Sequence, residues 1–276
     1  MTEILQIVFK LSILVFIVSS MLSMGFSLTV SQIIEPLKNV KLIVFSLVAN
    51  FILVPLLVYA IINVVPLNEG ERIAMILISI AAGAPFIPKL ADIAKADIPF
   101  SIGLMLLLMV ITIFFMPLVL PYLLSGAEVS SWAIAKSLIV TMLLPLILAL
   151  FVRAYWEKGA KIMQGVFAKL TNIAMLLLII SLVVLNTSHL IAMVGYPLLA
   201  ILLLLIGAMV IGYYLGGKEK GTRVVSAFGA GQRNISAALL VGTQNFDNPD
   251  ITIMLVAVSI FGLFVMLPYA KKVSGK

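Results

Sequence analysis

Arg233 is a permanent charge in an apolar setting. It lies in Phe228–Val241 (FGAGQRNISAALLV), with Gln232 and the glycines Gly229 and Gly231 before it and Asn234 after it. A guanidinium keeps its proton at any useful pH and presents five N–H donors in a rigid fork. Inside an apolar stretch it must therefore meet protein acceptors, water or an anion. Gln232 and Asn234 add amides beside it. Glycines permit backbone conformations that a β-carbon forbids, so Gly229 and Gly231 mark a place where a helix could unwind.

A second stretch has the same character. Ala81–Pro88 (AAGAPFIP) holds Gly83 and two prolines, Pro85 and Pro88. Each proline removes a backbone donor and bars the preceding residue from comfortable helix geometry, while Pro88 is suited to the first turn of a new half-helix. Two interrupted helices meeting at mid-depth would expose free N–H groups and helix amino ends, both suited to an anion. On that chemistry the candidate binding set is Arg233, Gln232 and Asn234, with Ala84, Pro85, Phe86, Ile87 and Pro88 opposite. Asn50, an amide inside another apolar run, completes it. Thr112 and Lys89 are weaker candidates. For Arg233 the competing role is a structural tie to backbone carbonyls of the break; for Asn50 it is a helix–helix hydrogen bond. Lys89 is read as extending to the aqueous boundary.

The elements that carry these residues are membrane helices. The 276 residues have a mean hydropathy of +1.26, with 63% hydrophobic and 11% charged residues, far below the charge a water-soluble surface needs. Continuous apolar runs of about 20 residues exclude a β-barrel. Nine spans follow, roughly Ile4–Val30, Val40–Val64, Arg72–Ala96, Ile98–Leu124, Trp132–Val152, Val166–Thr187, Tyr196–Leu215, Thr222–Thr243 and Pro249–Ala270. The first is read as a retained helix, because Glu3 replaces a basic leader and Lys10 interrupts the run.

Charge sets the direction. With nine spans, all but four of the 18 Lys and Arg residues fall on the face that carries the carboxyl terminus; the four are Lys10, Arg72, Lys136 and the buried Arg233. Glu69, Glu71, Glu128, Asp247 and Asp250 fall on the amino-terminal face. The positive-inside rule then puts the amino terminus outside and the carboxyl terminus in the cytoplasm of a plasma-membrane protein. The basic balance thus reflects topology rather than nucleic-acid binding.

The third and fourth spans resemble the eighth and ninth. Arg72 and Arg223 open the pairs, each contains a glycine-bearing break and a short acidic connector, and each closes on Leu-Pro-Tyr. An odd number of spans between the copies makes them cross in opposite directions. Inverted repeats with interrupted helices in matching places point to a midplane transport site. The chain is read as a single transmembrane domain, with repeats of about 1–124 and 132–270.

With these residues in place, the chain resembles the bile acid:sodium symporter family. The signs are Met21–Leu28 (MLSMGFSL), Asn50–Pro55 (NFILVP), the Ala82–Lys89 break and Gly231–Ser236 (GQRNIS). The resemblance implies an all-α fold of inverted repeats, with two crossed discontinuous helices between a panel and a core domain. Nine spans imply that the first helix of the family's ten-helix version is missing. It also implies sodium coupling, but the residues oppose this: Gly229 and Arg233 stand where a Glu and a Gln ligand are usual. Phe86 and Ile87 replace Ser-Asn ligands, and only Asn50 matches an amide ligand. The expectation is a carrier for a small or amphipathic organic anion, working in the lipid bilayer, with no cofactor or metal and with Arg233 replacing sodium or binding the anion. The alternative is a proton- or sodium-coupled exchanger of related fold, which the lack of intramembrane carboxylates weakens. An enzyme has little to build on, with no Cys and one His, His189.

Overall fold

The computed structural model describes residues 2–29, 31–32, 38–124 and 130–275, and among them every regular element is a helix. Glu128 and Lys276, both used in the charge reading, lie outside the described residues. In chain order the helices are α1 (Thr2–Ser27), α2 (Val40–Val64), α3 (Glu69–Ile80), α4 (Ile87–Ile93), α5 (Ile98–Leu123) and α6 (Ser131–Tyr155). There follow α7 (Glu157–Leu185), the short α8 (Thr187–Ala192), α9 (Tyr196–Leu215), α10 (Lys220–Gly231), α11 (Ile235–Asn245) and α12 (Pro249–Val273). Seven of them, α1, α2, α5, α6, α7, α9 and α12, are long and apolar enough to cross a membrane. The other two expected spans, Arg72–Ala96 and Thr222–Thr243, are each divided between two short helices, α3 with α4 and α10 with α11.

Local chemistry sets the boundaries. α3 starts in a capping box: Asn68 Oδ1 accepts from the Glu71 N–H at 2.9 Å while Glu71 Oε2 accepts from the Asn68 N–H at 2.8 Å. Asp97 caps α5, Asn234 caps α11 and Asn248 caps α12, each by a side-chain oxygen taking a first-turn N–H. The α4–α5 turn bends through Lys95, which has φ +52°. α2 and α6 each contain one widened turn, Ala49–Leu53 and Ile139–Leu143, shortly before Pro55 and Pro145. A proline ring excludes the carbonyl four residues back, and widening the preceding turn relieves that clash.

Packing divides the helices into two groups. α1 lies chiefly against α7 and α6, whereas α2 to α5 and α9 to α12 pack chiefly among themselves, with α5 resting on α6 and α11 on α1 and α6 where the groups meet. The outer faces of α6 and α7 expose Ile147, Phe151, Ile173, Val184 and similar side chains, as a lipid-facing surface does. α8 bridges the groups and is held to the second by His189 Nδ1, 2.6 Å from Asp250 Oδ1.

The breaks differ from expectation in one respect. Ala81–Phe86 is non-helical and turns at Gly83, whose φ of +83° is left-handed. A β-carbon there would also strike the backbone of Met105 and Met109 in α5. Gly229 and Gly231, expected to unwind the other helix, instead lie inside α10, and the non-helical residues are Gln232–Asn234. Their role is close approach: a β-carbon on Gly229 would sit 2.9 Å from Leu104 of α5, and one on Gly231 2.7 Å from Met266 of α12.

Gly83→Ala therefore combines a left-handed penalty of about 1–2 kcal/mol with a backbone clash. It is expected to lower the thermal midpoint of the detergent-solubilised protein sharply. Gly165→Ala, on an open face of α7, is expected to leave that midpoint unchanged or slightly raised.

Candidate functional site

The two breaks are tied to each other. The Asn234 N–H donates to the Ala81 carbonyl at 2.9 Å, and Asn234 Oδ1 accepts from the Ala237 N–H to start α11. Thr112 of α5 serves both polar groups of one unwound residue. Its Oγ1 accepts from the Ala82 N–H at 2.9 Å and donates to the Ala82 carbonyl at 3.1 Å. Unwound backbone at membrane depth is tolerated only where such partners exist.

Arg233, 3% exposed, is held between the breaks. Its Nε donates to the Ile78 carbonyl at 3.0 Å and its Nη2 to the Ser79 carbonyl at 2.5 Å. Nη1 donates to Asn50 Oδ1 at 2.7 Å and to the Ala230 carbonyl at 3.2 Å. Ile78 and Ser79 close α3, and Ala230 closes α10. The cation thus caps the carboxyl ends of two half-helices, where unsatisfied carbonyls and the helix dipole favour positive charge. Four of its five N–H groups are engaged, all with neutral acceptors. Of the two roles open to Arg233, this geometry matches the structural tie.

Asn50 is oriented for that contact. Its Nδ2 donates to the Ser46 carbonyl at 3.0 Å, and it sits in the widened turn of α2. Gln232 is buried beside Gly262 of α12, and its backbone N–H closes α10 on the Phe228 carbonyl. Ala84 and Ile87 are buried and linked by a 3.2 Å hydrogen bond, while Phe86 is half-buried and its carbonyl starts α4 by accepting from Leu90. Pro85 and Pro88 face a cleft, and Lys89 pairs with Asp92 at 3.0 Å at its exposed rim. Two donors at the start of α11 are buried and unpartnered, Asn234 Nδ2 and Ser236 Oγ.

Two clefts open along the seam between the helix groups. One, of about 650 Å³, lies on the amino-terminal face between Gln6–Leu14 of α1 and the Leu240–Thr252 stretch. The other, of about 560 Å³, lies on the carboxyl-terminal face and is lined by Ser20, Ser23 and Ser27 of α1, Gln164, Thr171 and Asn172 of α7, and Pro85–Asp92. Between them α1 contributes Val15–Ser19, with Phe16 and Ile17 buried. A third cavity, of about 460 Å³, gathers the amino ends of α2, α5 and α10 and does not touch the crossing.

Residues 13–193 match the profile of the sodium bile acid symporter family. The chain belongs to that family. The matched stretch begins inside α1, holds the first break, Asn50 and the Thr112–Ala82 contact, and ends before α9. Members of the sodium bile acid symporter family are transporters, and the helix-rich, apolar architecture agrees with a multi-pass membrane protein. No match to the chain is found among curated proteins.

Sequence reasoning gave Thr112 only as a weaker binding candidate, without its clamp on Ala82, and missed Ile78, Ser79 and Ala230, which act through backbone oxygen alone. Ser236 stood in the resemblance motif without a role. Thr112→Val keeps the shape but leaves the buried Ala82 N–H without its partner, so stability is expected to fall by about 1–3 kcal/mol. Thr112→Ser, which keeps the hydroxyl, is expected to stay near the parent; thermal unfolding of both variants checks this.

Proposed function

We propose that the chain is a secondary carrier for an organic anion, in which the guanidinium of Arg233 stands where a coupling sodium ion would otherwise bind. The observation that carries this is the set of oxygens around Arg233: the Asn50 amide and the Ile78, Ser79 and Ala230 carbonyls converge on one cationic centre. Such a set suits a sodium ion, and the guanidinium already fills it. A sodium ion about 4 Å away would be repelled by about 4 kcal/mol at an effective dielectric near 20.

In this reading α1, α6 and α7 form the panel and the remaining helices the core. The α3–α4 and α10–α11 pairs each complete a span, giving nine, in two inverted repeats of about 1–124 and 132–270. The lysine-rich face is cytoplasmic and the amino terminus external. Substrate travels along the seam, and sliding the panel past the core opens the crossing to one cleft and then the other. Asn234 Nδ2 and Ser236 Oγ supply anion donors, with Gln232 and the Ala84–Pro88 backbone beside them. Arg233 acts by holding the crossing rather than by touching solute.

Uptake of a labelled organic-anion panel by proteoliposomes is expected to proceed at the same rate when choline replaces sodium. Loss of transport without sodium refutes the reading. Arg233→Gln opens the oxygen cage, so stability is expected to fall by about 3 kcal/mol or more, and sodium is expected to raise the variant's thermal midpoint but not the parent's. A variant that keeps its stability and loses only anion affinity would instead make Arg233 a substrate ligand.

A further inference from the structure

We propose that Arg223, stacked on Tyr213 at the lysine-rich end of α9, binds the phosphate of an anionic phospholipid; the proposal needs a bilayer around the chain but not the carrier reading. The guanidinium carbon lies 4.7 Å from the centroid of the Tyr213 ring. Gly216 lets α9 and α10 meet this closely, since a β-carbon there would sit 2.5 Å from the Arg223 Cα. Stacking covers one face of the guanidinium and leaves its N–H edge free to take two oxygens of a single phosphate.

The protein leaves that charge unanswered. Arg223 Nε is buried without a hydrogen-bond partner, and the half-buried side chain forms no ion pair among the described residues. Other cations on the same face are committed. Lys89 pairs with Asp92, Arg153 with Glu157, and Lys220 donates to the Val273 carbonyl at 3.3 Å. The repeat sharpens the contrast: Arg72, which opens the first helix pair as Arg223 opens the second, donates to the Ile62 carbonyl at 2.7 Å. A partly desolvated guanidinium without an acceptor calls for an anion from outside the chain.

Its surroundings say which anion. Leu199, Leu203, Ile206, Val210 and Tyr214 recur at helical spacing as the exposed face of α9, which ends at Leu215. Tyr213 flanks the end of that stripe, so the guanidinium stands where acyl chains give way to headgroups. A phospholipid can lay its chains along the stripe and its phosphate on Arg223, whereas free phosphate gains only the second contact. Lys218, Lys220 and Arg223 outnumber the one carboxylate among them, Glu219, so a net-anionic headgroup is favoured over a zwitterionic one.

Native mass spectrometry of the detergent-solubilised full chain, titrated with each lipid, reads the site. Phosphatidylglycerol is expected to bind about tenfold more tightly than phosphatidylcholine, and Arg223→Gln to remove that preference. Arg153→Gln, which deletes a cation already paired on the same face, is expected to keep it. Phosphatidylglycerol is also expected to raise the thermal midpoint of the parent and of Arg153→Gln but not of Arg223→Gln, while inorganic phosphate raises none. If Arg223→Gln yields no folded protein, Arg223→Lys against Arg153→Lys gives the same comparison, the first losing affinity because an ammonium lacks the paired donors. Equal binding of the two lipids, equal losses at positions 223 and 153, or inorganic phosphate matching the lipid overturns the proposal. The readout is lipid binding, so a failed uptake assay counts against the carrier reading alone.

Discussion

A charged group and a broken helix are each costly at membrane depth, and in this protein each is the remedy for the other. Interrupting α3 and α10 strands carbonyl groups that hydrocarbon cannot solvate. Burying Arg233 strands a guanidinium that cannot neutralise itself by releasing a proton. Bringing the cation to the carboxyl ends of both half-helices satisfies both, with Asn50 supplying the last acceptor. The remaining geometry of the crossing follows: the Asn234–Ala81 bond and the Thr112 clamp hold the two unwound segments in register with that charge.

This arrangement explains what the sequence could and could not disclose. The buried charge, the proline-glycine break and the amide in α2 were legible because their side chains are anomalous among Leu, Ile and Val. The acceptors of the guanidinium were not, since Ile78 and Ala230 look like any apolar helix residue and act through the main chain. Reading Arg233 toward an anion came from the amino ends of α4 and α11; the opposite ends of α3 and α10 captured it. Gly229 and Gly231 were misplaced for a related reason. A glycine in an apolar run signals either an unwound helix or a close neighbour, and the neighbours Leu104 and Met266 belong to other helices. Helix content and polytopic character were readable from composition, whereas the division of two expected spans into four short helices needed the folded chain to locate its edges.

The family profile and the crossing pull on the coupling question from different directions. The matched region runs from residue 13, inside α1, through α8, while Arg233 lies beyond it. In the proposed reading the chain keeps the family scaffold and changes its cation centre; coupling depends on a few side chains and the scaffold on many, so one fold can host different energetics. Replacing a diffusible ion by a tethered one would keep the crossing assembled throughout the cycle instead of only when the ion is bound.

The short stretch of α1 that separates the clefts has an electrical consequence. If water enters both openings, the transmembrane voltage drops mainly over Val15–Ser19, about 10 Å along the helix axis from Ile13 to Ser20. A singly negative solute passing that plug experiences nearly the full field, worth about 2.3 kcal/mol per 100 mV. Carried without a compensating positive ion, it is driven toward the positive side of the bilayer. In a cell with a negative interior, the anion carrier proposed above would work downhill as an exporter and would need a steep concentration gradient to run the other way.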